Sequence, residues 1–531
     1  MRVPRSPRSV KRATRWGSMV AGALPLLAFP PAELSYLAWF ALVPGMLLIH
    51  RAPTSREAAI RGWWLGCGYF VAAMYWLAPE IGPAVILVAI VFGALLGPFG
   101  KIIWVLLRPP VNVPRALAAL VIVPSYWLVT EWLRSWQALG GPWAVLGASQ
   151  WQHPAVLALA AVGGVWLVSV AIVAVNVAVL IAIVAGRPAS RLVAAAAAAV
   201  VLASGPVAFA LTPPAPTAGA TTIALVQPGV VKHPVPGVDA SQRLTASLSR
   251  DGSLNRVRPD LIVWGESSVG YRLQDDQALL RSIEKLSATD RAQILVNQDS
   301  RGDGKQSKVA VLVGPTGIDG TYTKTRLVPF GEYIPFRAAL SWLTKISKAA
   351  PVNMVPGDGA HTLRVTEPGG RALTIGPLIC FESAFPDMAR VDTDQGAQVI
   401  VYQTADSTFQ GTGALAQHAS LGAVRAAETG RPVVQAALTG DSAAFDARGR
   451  VVAWMGESQR GVTAARLTLP AATSRTPYDR LGDYVPWTAV AIVALFTLAV
   501  AIRRRSDRGK AGAPGGDEAE YNPGSGLHVP S

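Results

Sequence analysis

Residues 373–382 read Leu373-Thr374-Ile375-Gly376-Pro377-Leu378-Ile379-Cys380-Phe381-Glu382, and a helical pattern follows. A short apolar run of this kind predicts a buried strand, and this strand ends in a thiol. A Cys on a strand-to-helix turn exposes its sulfur and has backbone N–H groups nearby that can hold an oxyanion. Two further segments share the design. Asp260-Leu261-Ile262-Val263-Trp264-Gly265 ends at Glu266, and Thr321-Tyr322-Thr323 ends at Lys324, with Thr325-Arg326-Leu327-Val328-Pro329-Phe330-Gly331-Glu332-Tyr333-Ile334-Pro335 after it. A Glu within reach can take the thiol proton. A Lys beside both can stabilise a thiolate and a tetrahedral oxyanion.

Around these segments the β-branched runs Thr222–Gln227, Gln293–Asn297, Val309–Val313 and Gln398–Tyr402 alternate with helical patterns at 275–288 and 413–429. That alternation predicts an α/β globular domain over residues 221–470. The flanks differ. The chain has 531 residues, 51% hydrophobic and only 15% charged, too apolar for an ordinary soluble protein. Apolar stretches able to cross a bilayer are expected at 17–31, 33–49, 61–78, 83–107, 115–133, 155–185, 191–211 and 484–502, roughly eight spans in all. The expected organisation is a basic tail (1–16), a membrane domain of about seven helices (17–211), a linker (212–220), the α/β domain, a return linker (471–483), a final span (484–502) and a disordered tail (503–531).

The net charge of +15 invites a nucleic-acid reading, but the basic residues sit beside apolar runs and at both ends. Arg2, Arg5, Arg8, Lys11, Arg12 and Arg15 precede the first span, alternate loops carry Arg51, Arg56 and Arg61, then Arg108 and Arg115, then Arg187 and Arg191, and Arg503-Arg504-Arg505 follow the last. By the positive-inside rule both termini are cytoplasmic and the α/β domain lies outside. There are two cysteines, and Cys67 lies in an apolar run as a helix-packing residue, so a disulfide framework is not expected.

With those segments in view, the chain resembles the apolipoprotein N-acyltransferases, the membrane branch of the nitrilase (carbon-nitrogen hydrolase) superfamily, in an actinobacterial-like form. The resemblance rests on Val263-Trp264-Gly265-Glu266, on the highly specific block Lys324–Pro335, and on Ile379-Cys380-Phe381-Glu382. It extends to Glu131-Trp132-Leu133-Arg134, Pro142-Trp143, Ser149-Gln150, Gln417-His418 and Arg425–Pro432. It implies an αββα sandwich for the outer domain and a multi-pass enzyme of the bacterial cell membrane that needs no cofactor. It implies that Cys380 takes an acyl chain from a phospholipid as a thioester and passes it to the free α-amine of a diacylglyceryl-modified apolipoprotein. Glu266 is then the general base, Lys324 the oxyanion stabiliser and Cys380 the nucleophile, with Glu332, Glu382 and Phe381 in support. Some actinobacterial relatives are fused to or paired with a polyprenol-phosphate mannosyltransferase, so such a partner is also an expectation. The chain departs from the family pattern at Lys308-Val309, where an Asn-Ser pair is usual, and at Ala405-Asp406-Ser407-Thr408-Phe409, where Asn-Asp followed by Trp-Phe is common.

Other readings of the same residues are weaker. A buried structural thiol would leave the matching contexts of Glu266 and Lys324 unexplained. His418 reads as structural, because the sequence shows no Cys partner for it. No Cys/His cluster predicts a metal and no glycine-rich loop predicts a nucleotide. Trp132 and Trp143, and Phe336 and Trp342 in the segment 333–356 with Arg337, Lys345 and Lys348, are expected to touch substrate or membrane lipids. The rival functions are a membrane-anchored amidase using the same three groups, and a membrane scaffold for the mannosyltransferase. A single anchor would suffice for the first, and the intact Glu–Lys–Cys set argues against the second.

Overall fold

The computed structural model describes residues 7–229, 237–250, 252–302, 305–345, 350 and 352–511. The expected disorder of the tail beyond Ala511, and Lys348, lie outside the described residues; the final helix runs to Ala511, past the expected end at 502.

Twelve strands form two six-stranded sheets. They are β1 (Thr217–Gln227), β2 (Leu261–Trp264), β3 (Gln293–Gly302), β4 (Lys305–Gly314), β5 (Gly317–Thr323), β6 (Leu363–Thr366), β7 (Ala372–Ile379), β8 (Val399–Thr404), β9 (Val433–Ala437), β10 (Ser442–Phe445), β11 (Val451–Met455) and β12 (Gly461–Pro470). The first sheet has the order β12-β1-β2-β3-β4-β5 and the second β11-β10-β9-β8-β7-β6. Strands β1, β2 and β3 run parallel, as do β7, β8 and β9.

The period-two alternation of a strand explains the layering. Ile223 and Leu225 of β1, Leu261 and Val263 of β2 and Leu295 of β3 enter one core with Leu373, Ile375, Val399 and Val401 of the facing sheet. Their neighbours Ala224, Val226, Ile262, Trp264, Ile294 and Val296 form a second core with Leu280 and Ile283 of the helix Gln277–Asp290. The helices Pro386–Asp394 and Ala414–Thr429 cover the other sheet, completing an αββα sandwich. Thr217–Ala220, expected as linker, already pair with Pro470–Thr468 of β12, because the antiparallel ladder continues to the end of that strand.

Five helices among the described residues are long and apolar enough to cross a membrane: Ala84–Leu107, Val113–Arg134, Pro154–Val184, Pro188–Leu211 and Tyr484–Arg503. The other three expected spans take different forms. Pro7–Ala23 runs into a tight turn at Leu24–Ala28, Ser35–His50 is a shorter apolar stretch, and Ser55–Met74 is a 20-residue helix with polar groups in its first turns. There Glu57 is buried between Arg61 at 3.3 Å and Arg15 at 2.7 Å, so charge that hydropathy penalises is paired inside the bundle.

The sandwich is joined to the bundle by a break in a helix. Pro154–Val184 loses helical geometry at Gly163 (φ −135°, ψ 24°) and Gly164 (φ 71°, ψ 178°). A break strips backbone N–H groups of their partners. Val165 N–H donates to Glu428 Oε1 at 2.7 Å, from a helix of the sandwich in which every residue but Ala416 is buried. Burial pushes the Glu428 carboxyl up to about 7 against the pull of Arg425. Arg425 Nη1 lies 2.9 Å from its other oxygen. Glu428→Ala leaves the Val165 N–H and the Arg425 charge buried without this partner. It is expected to cost about 3–5 kcal/mol, with Glu428→Gln, which keeps a carbonyl acceptor, losing less. Thermal unfolding of the purified protein in detergent measures both, and equal midpoints for all three proteins would show that the contact carries no stability.

Candidate active site

The strand ends β2, β5 and β7 converge. Glu266 follows β2, Lys324 follows β5 and Cys380 follows β7. Gly265 is needed just before Glu266, because a Cβ there would lie 2.0 Å from the backbone nitrogen of Leu438, across the sandwich. Glu266 N–H donates to Thr404 O at 3.1 Å, so the two sheets are stitched at the site itself.

Lys324 has no exposed side-chain surface. Its ammonium donates to Glu332 Oε1 at 2.7 Å and to Glu266 Oε1 at 3.2 Å. A buried cation survives only with such partners; burial disfavours its charge, but Glu266 and Glu332 outweigh that and its pKa lies well above the usual value. Glu266 Oε2 accepts from Ala405 N–H at 3.2 Å, and the Cys380 thiol lies close enough to favour its charge. Burial disfavours its charge, but Lys324, Lys308 and the thiol overcome that and hold its pKa below the ordinary carboxyl value. Burial, reinforced by the Glu266 charge, pushes the Cys380 thiol well above its usual range. The sulfur is therefore a thiol at neutral pH, beside an ionised carboxylate that can remove its proton.

Glu332 is fixed by Val328 N–H at 2.9 Å on Oε2. Glu382 lies behind the elbow and touches the reacting groups only through backbone. Its oxygens accept from Tyr322 O–H (2.8 Å) and from the N–H groups of Thr325 (2.7 Å), Arg326 (2.9 Å) and Ile379 (2.7 Å). It thus ties the residues flanking Lys324 to the residue preceding Cys380. Burial raises its pKa while these donors pull the other way. Phe381 packs edge-on against Phe385, ring centroids 5.1 Å apart. Gly141 of the membrane part (φ +72°) lies against both rings: a Cβ there would be 2.7 Å from Phe381 and 2.9 Å from Phe385.

The aromatic residues separate. Trp143 is buried, packs on Trp76 at 5.0 Å and faces His418 at 6.0 Å. Trp132 is engaged elsewhere: its indole donates to Asp483 at 3.4 Å and packs on Trp487 at 4.7 Å. Phe336 and Trp342 are exposed. A cavity of about 370 Å³ opens between the membrane part and the sandwich, lined by Trp136, Gln137, Thr325, Leu327, Tyr333 and Asn353 among others.

Two groups escaped the sequence reading, and a third, His418, was read there as structural for want of a Cys partner. Lys308, visible there only as a departure from a family pattern, lies 3.9 Å from Glu266 and 2.8 Å from Asp299. Asp406 and His418 stand beside Cys380; the thiol, a carboxylate oxygen and an imidazole nitrogen lie within 4.8 Å of one another. Those donors could hold a metal only by giving up hydrogen bonds that already occupy both imidazole nitrogens.

Residues 21–178 match the family model of the apolipoprotein N-acyltransferase N-terminal domain, and residues 223–476 match that of carbon-nitrogen hydrolases. A protein named apolipoprotein N-acyltransferase from Allorhizobium ampelinum is 30% identical over 86% of this chain and 90% of its own length. Proteins of the same name from Sinorhizobium medicae (32%, covering 90% and 93%) and Geobacter metallireducens (29%, covering 92% and 95%) are similar over comparable lengths. Among solved structures, the nitrilase-superfamily protein Nit3 of Saccharomyces cerevisiae is similar over 48% of this chain and 91% of its own, at 16% identity and a TM-score of 0.35, too distant to weigh.

The second cation beside Glu266 has a testable consequence. Lys308→Met removes a charge that favours the carboxylate, so the Glu266 pKa should rise. A base acts only when deprotonated, so the acid limb of the pH–rate profile should move to higher pH. A limb that stays in place would mean that Lys308 does not act on Glu266.

Proposed function

The chain belongs to the apolipoprotein N-acyltransferase family, and from that premise we propose that Cys380 relays an acyl chain from a phospholipid to a lipoprotein. The enzyme is an acyltransferase of lipoprotein maturation. In the first half-reaction Glu266 takes the thiol proton and the sulfur attacks the ester carbonyl of the lipid. The oxyanion forms beside the Lys324 ammonium. Collapse leaves a thioester on Cys380, and Glu266 returns the proton to the departing lysolipid oxygen. In the second, the α-amine of the diacylglyceryl-modified N-terminal cysteine attacks the thioester, Glu266 takes a proton from the nitrogen, and the thiol is restored as the amide forms.

The observation that carries this reading is the buried convergence of three groups: Lys324 donates to Glu266 at 3.2 Å, and the charges of both act on the Cys380 thiol beside them. Glu332 and Glu382 fix that contact by the hydrogen bonds described above. Both substrates are membrane lipids, and the membrane helices support access to them. Phe336 and Trp342, 65% and 52% exposed, are suited to dip into the bilayer surface, and the cavity beside Gln137 and Tyr333 suits an entry path. Trp143, buried against His418, is suited to line the acyl site from the membrane side. The basic loops support a sandwich on the extracytoplasmic face with both termini in the cytoplasm. A mannosyltransferase partner finds no support in the family matches.

Purified enzyme given phospholipid alone should accumulate an acyl-thioester on Cys380, read by mass spectrometry of the intact protein. A diacylglyceryl-cysteine peptide should discharge it to an N-acyl product with ping-pong kinetics. Cys380→Ala should form no thioester, and Glu266→Gln should form it about 10²–10⁴-fold more slowly. Rapid decay of the thioester to free fatty acid without an amine would favour the anchored amidase instead.

Orientation has its own test. A reporter active only outside the cytoplasm should work when fused in the sandwich and fail when fused after Arg505. The opposite pattern would put the site on the wrong face.

A further inference from the structure

Cys380 has φ +53°, in the left-handed region that side chains rarely adopt. Its carbonyl oxygen accepts from His418 Nε2 at 3.0 Å, which requires a proton on that nitrogen. The other nitrogen, Nδ1, faces both oxygens of Asp406, at 3.0 and 3.2 Å. Thr404 also donates to Asp406 Oδ1, at 3.2 Å. An ionised carboxylate there requires a second proton on the ring. Both nitrogens then donate, and His418 is an imidazolium. The groups that act on its charge are Asp406, the Cys380 carbonyl and Glu266; burial opposes the charge, but together they raise its pKa above the usual value. His418 and Asp406 are 3% and 4% exposed, so water screens the pair little. The loop of the membrane part closes over it through Trp143.

We infer that His418, held by Asp406, is a positioning residue for the nucleophile: it grips the Cys380 carbonyl and holds the left-handed elbow on which the thiolate forms. The inference rests on Cys380 being the nucleophile. The imidazolium acts through the backbone and moves no proton in either half-reaction. Asp406, on the same side, works against a thiolate, so the ion pair brings no net charge to the sulfur; the cation that favours the thiolate is Lys324.

The test uses the full-length enzyme in detergent with phospholipid, and measures the rate of thioester formation on Cys380, the KM for the lipid and the thermal midpoint. His418→Ala should slow thioester formation by about ten- to a hundredfold, the rate equivalent of one charge-assisted hydrogen bond, with KM little changed. His418→Gln, whose amide can still donate to the carbonyl, should recover part of the rate. Asp406→Asn should move the alkaline fall of the rate to lower pH, because the ring loses the anion that holds its proton. If the parent enzyme forms no thioester on Cys380, the acyl-relay reading itself fails. If the parent does and His418→Ala is within about twofold of it, the positioning role is wrong. Equal rates in the Ala and Gln variants, falling in step with the midpoint, would make His418 merely structural. Should His418→Ala not fold, an alkaline limb unmoved in Asp406→Asn overturns the inference.

Discussion

A fully buried ammonium constrains the whole sandwich. Lys324 has no water to solvate it, and its charge is tolerable only because Glu266 and Glu332 reach it from two other segments. That requirement fixes the ends of β2 and β5 relative to each other and to the Val328–Glu332 turn. Cys380 is then held by the same carboxylate. Glu382 closes the arrangement from behind, collecting N–H groups from both sides of the site onto one side chain. The scaffold makes a buried salt bridge whose geometry serves chemistry rather than stability, since such pairs seldom exceed a well-packed apolar core in net stabilisation.

The electrostatics set the division of labour. A thiol whose pKa is raised is a poor nucleophile until it loses its proton, and a carboxylate whose pKa is lowered is a weak base in water. Buried side by side, they have only a short path for a proton between them, and Lys324 favours the anion on either group. Lys308 adds a cation on the Glu266 side, and the His418–Asp406 pair stands on the sulfur side.

Much of this was legible in the sequence, and the reason is local. Cys380 and Glu266 each end an apolar run, so strand periodicity and a reactive side chain announce them together; Lys324 follows the polar Thr321-Tyr322-Thr323 and is marked by the block after it. The runs named in the sequence overlap β1, β2, β3, β4, β5, β7 and β8, whereas β6, β9, β10 and β11, of four or five residues each, gave too little pattern to be read; the ten-residue β12 alternates at Ala465, Leu467 and Leu469 and went unread. Asp406 and His418 were not legible as a pair with Cys380. One lies in a loop and the other on a helix, and only the packing of that helix on β9, β10 and the elbow brings them to the thiol. Lys308 showed only as an unusual residue, because its partners Asp299 and Glu266 come from other strands. In the membrane part, apolar runs gave the long spans well. They hid the break at Gly163–Gly164, and they could not show that Glu57, Arg61 and Arg15 pair inside the bundle.

The break and the elbow solve one problem at two ends of one helix. A soluble nitrilase-like domain needs only its own core, but an enzyme whose substrates are lipids must hold its nucleophile at a fixed height above the bilayer. The helix Ala414–Thr429 provides that reference. Its His418 grips the carbonyl of Cys380, and ten residues on its Glu428 caps the broken helix Pro154–Val184. Helical rise is about 1.5 Å per residue, so the two contacts stand roughly 15 Å apart on one rigid rod. Its residues are almost all buried between sheet and bundle, so it cannot tilt without opening both cores. Cys380 and the broken helix are thus held by one element, and Gly141 and Trp143 press the membrane loop onto the same elbow from the other side.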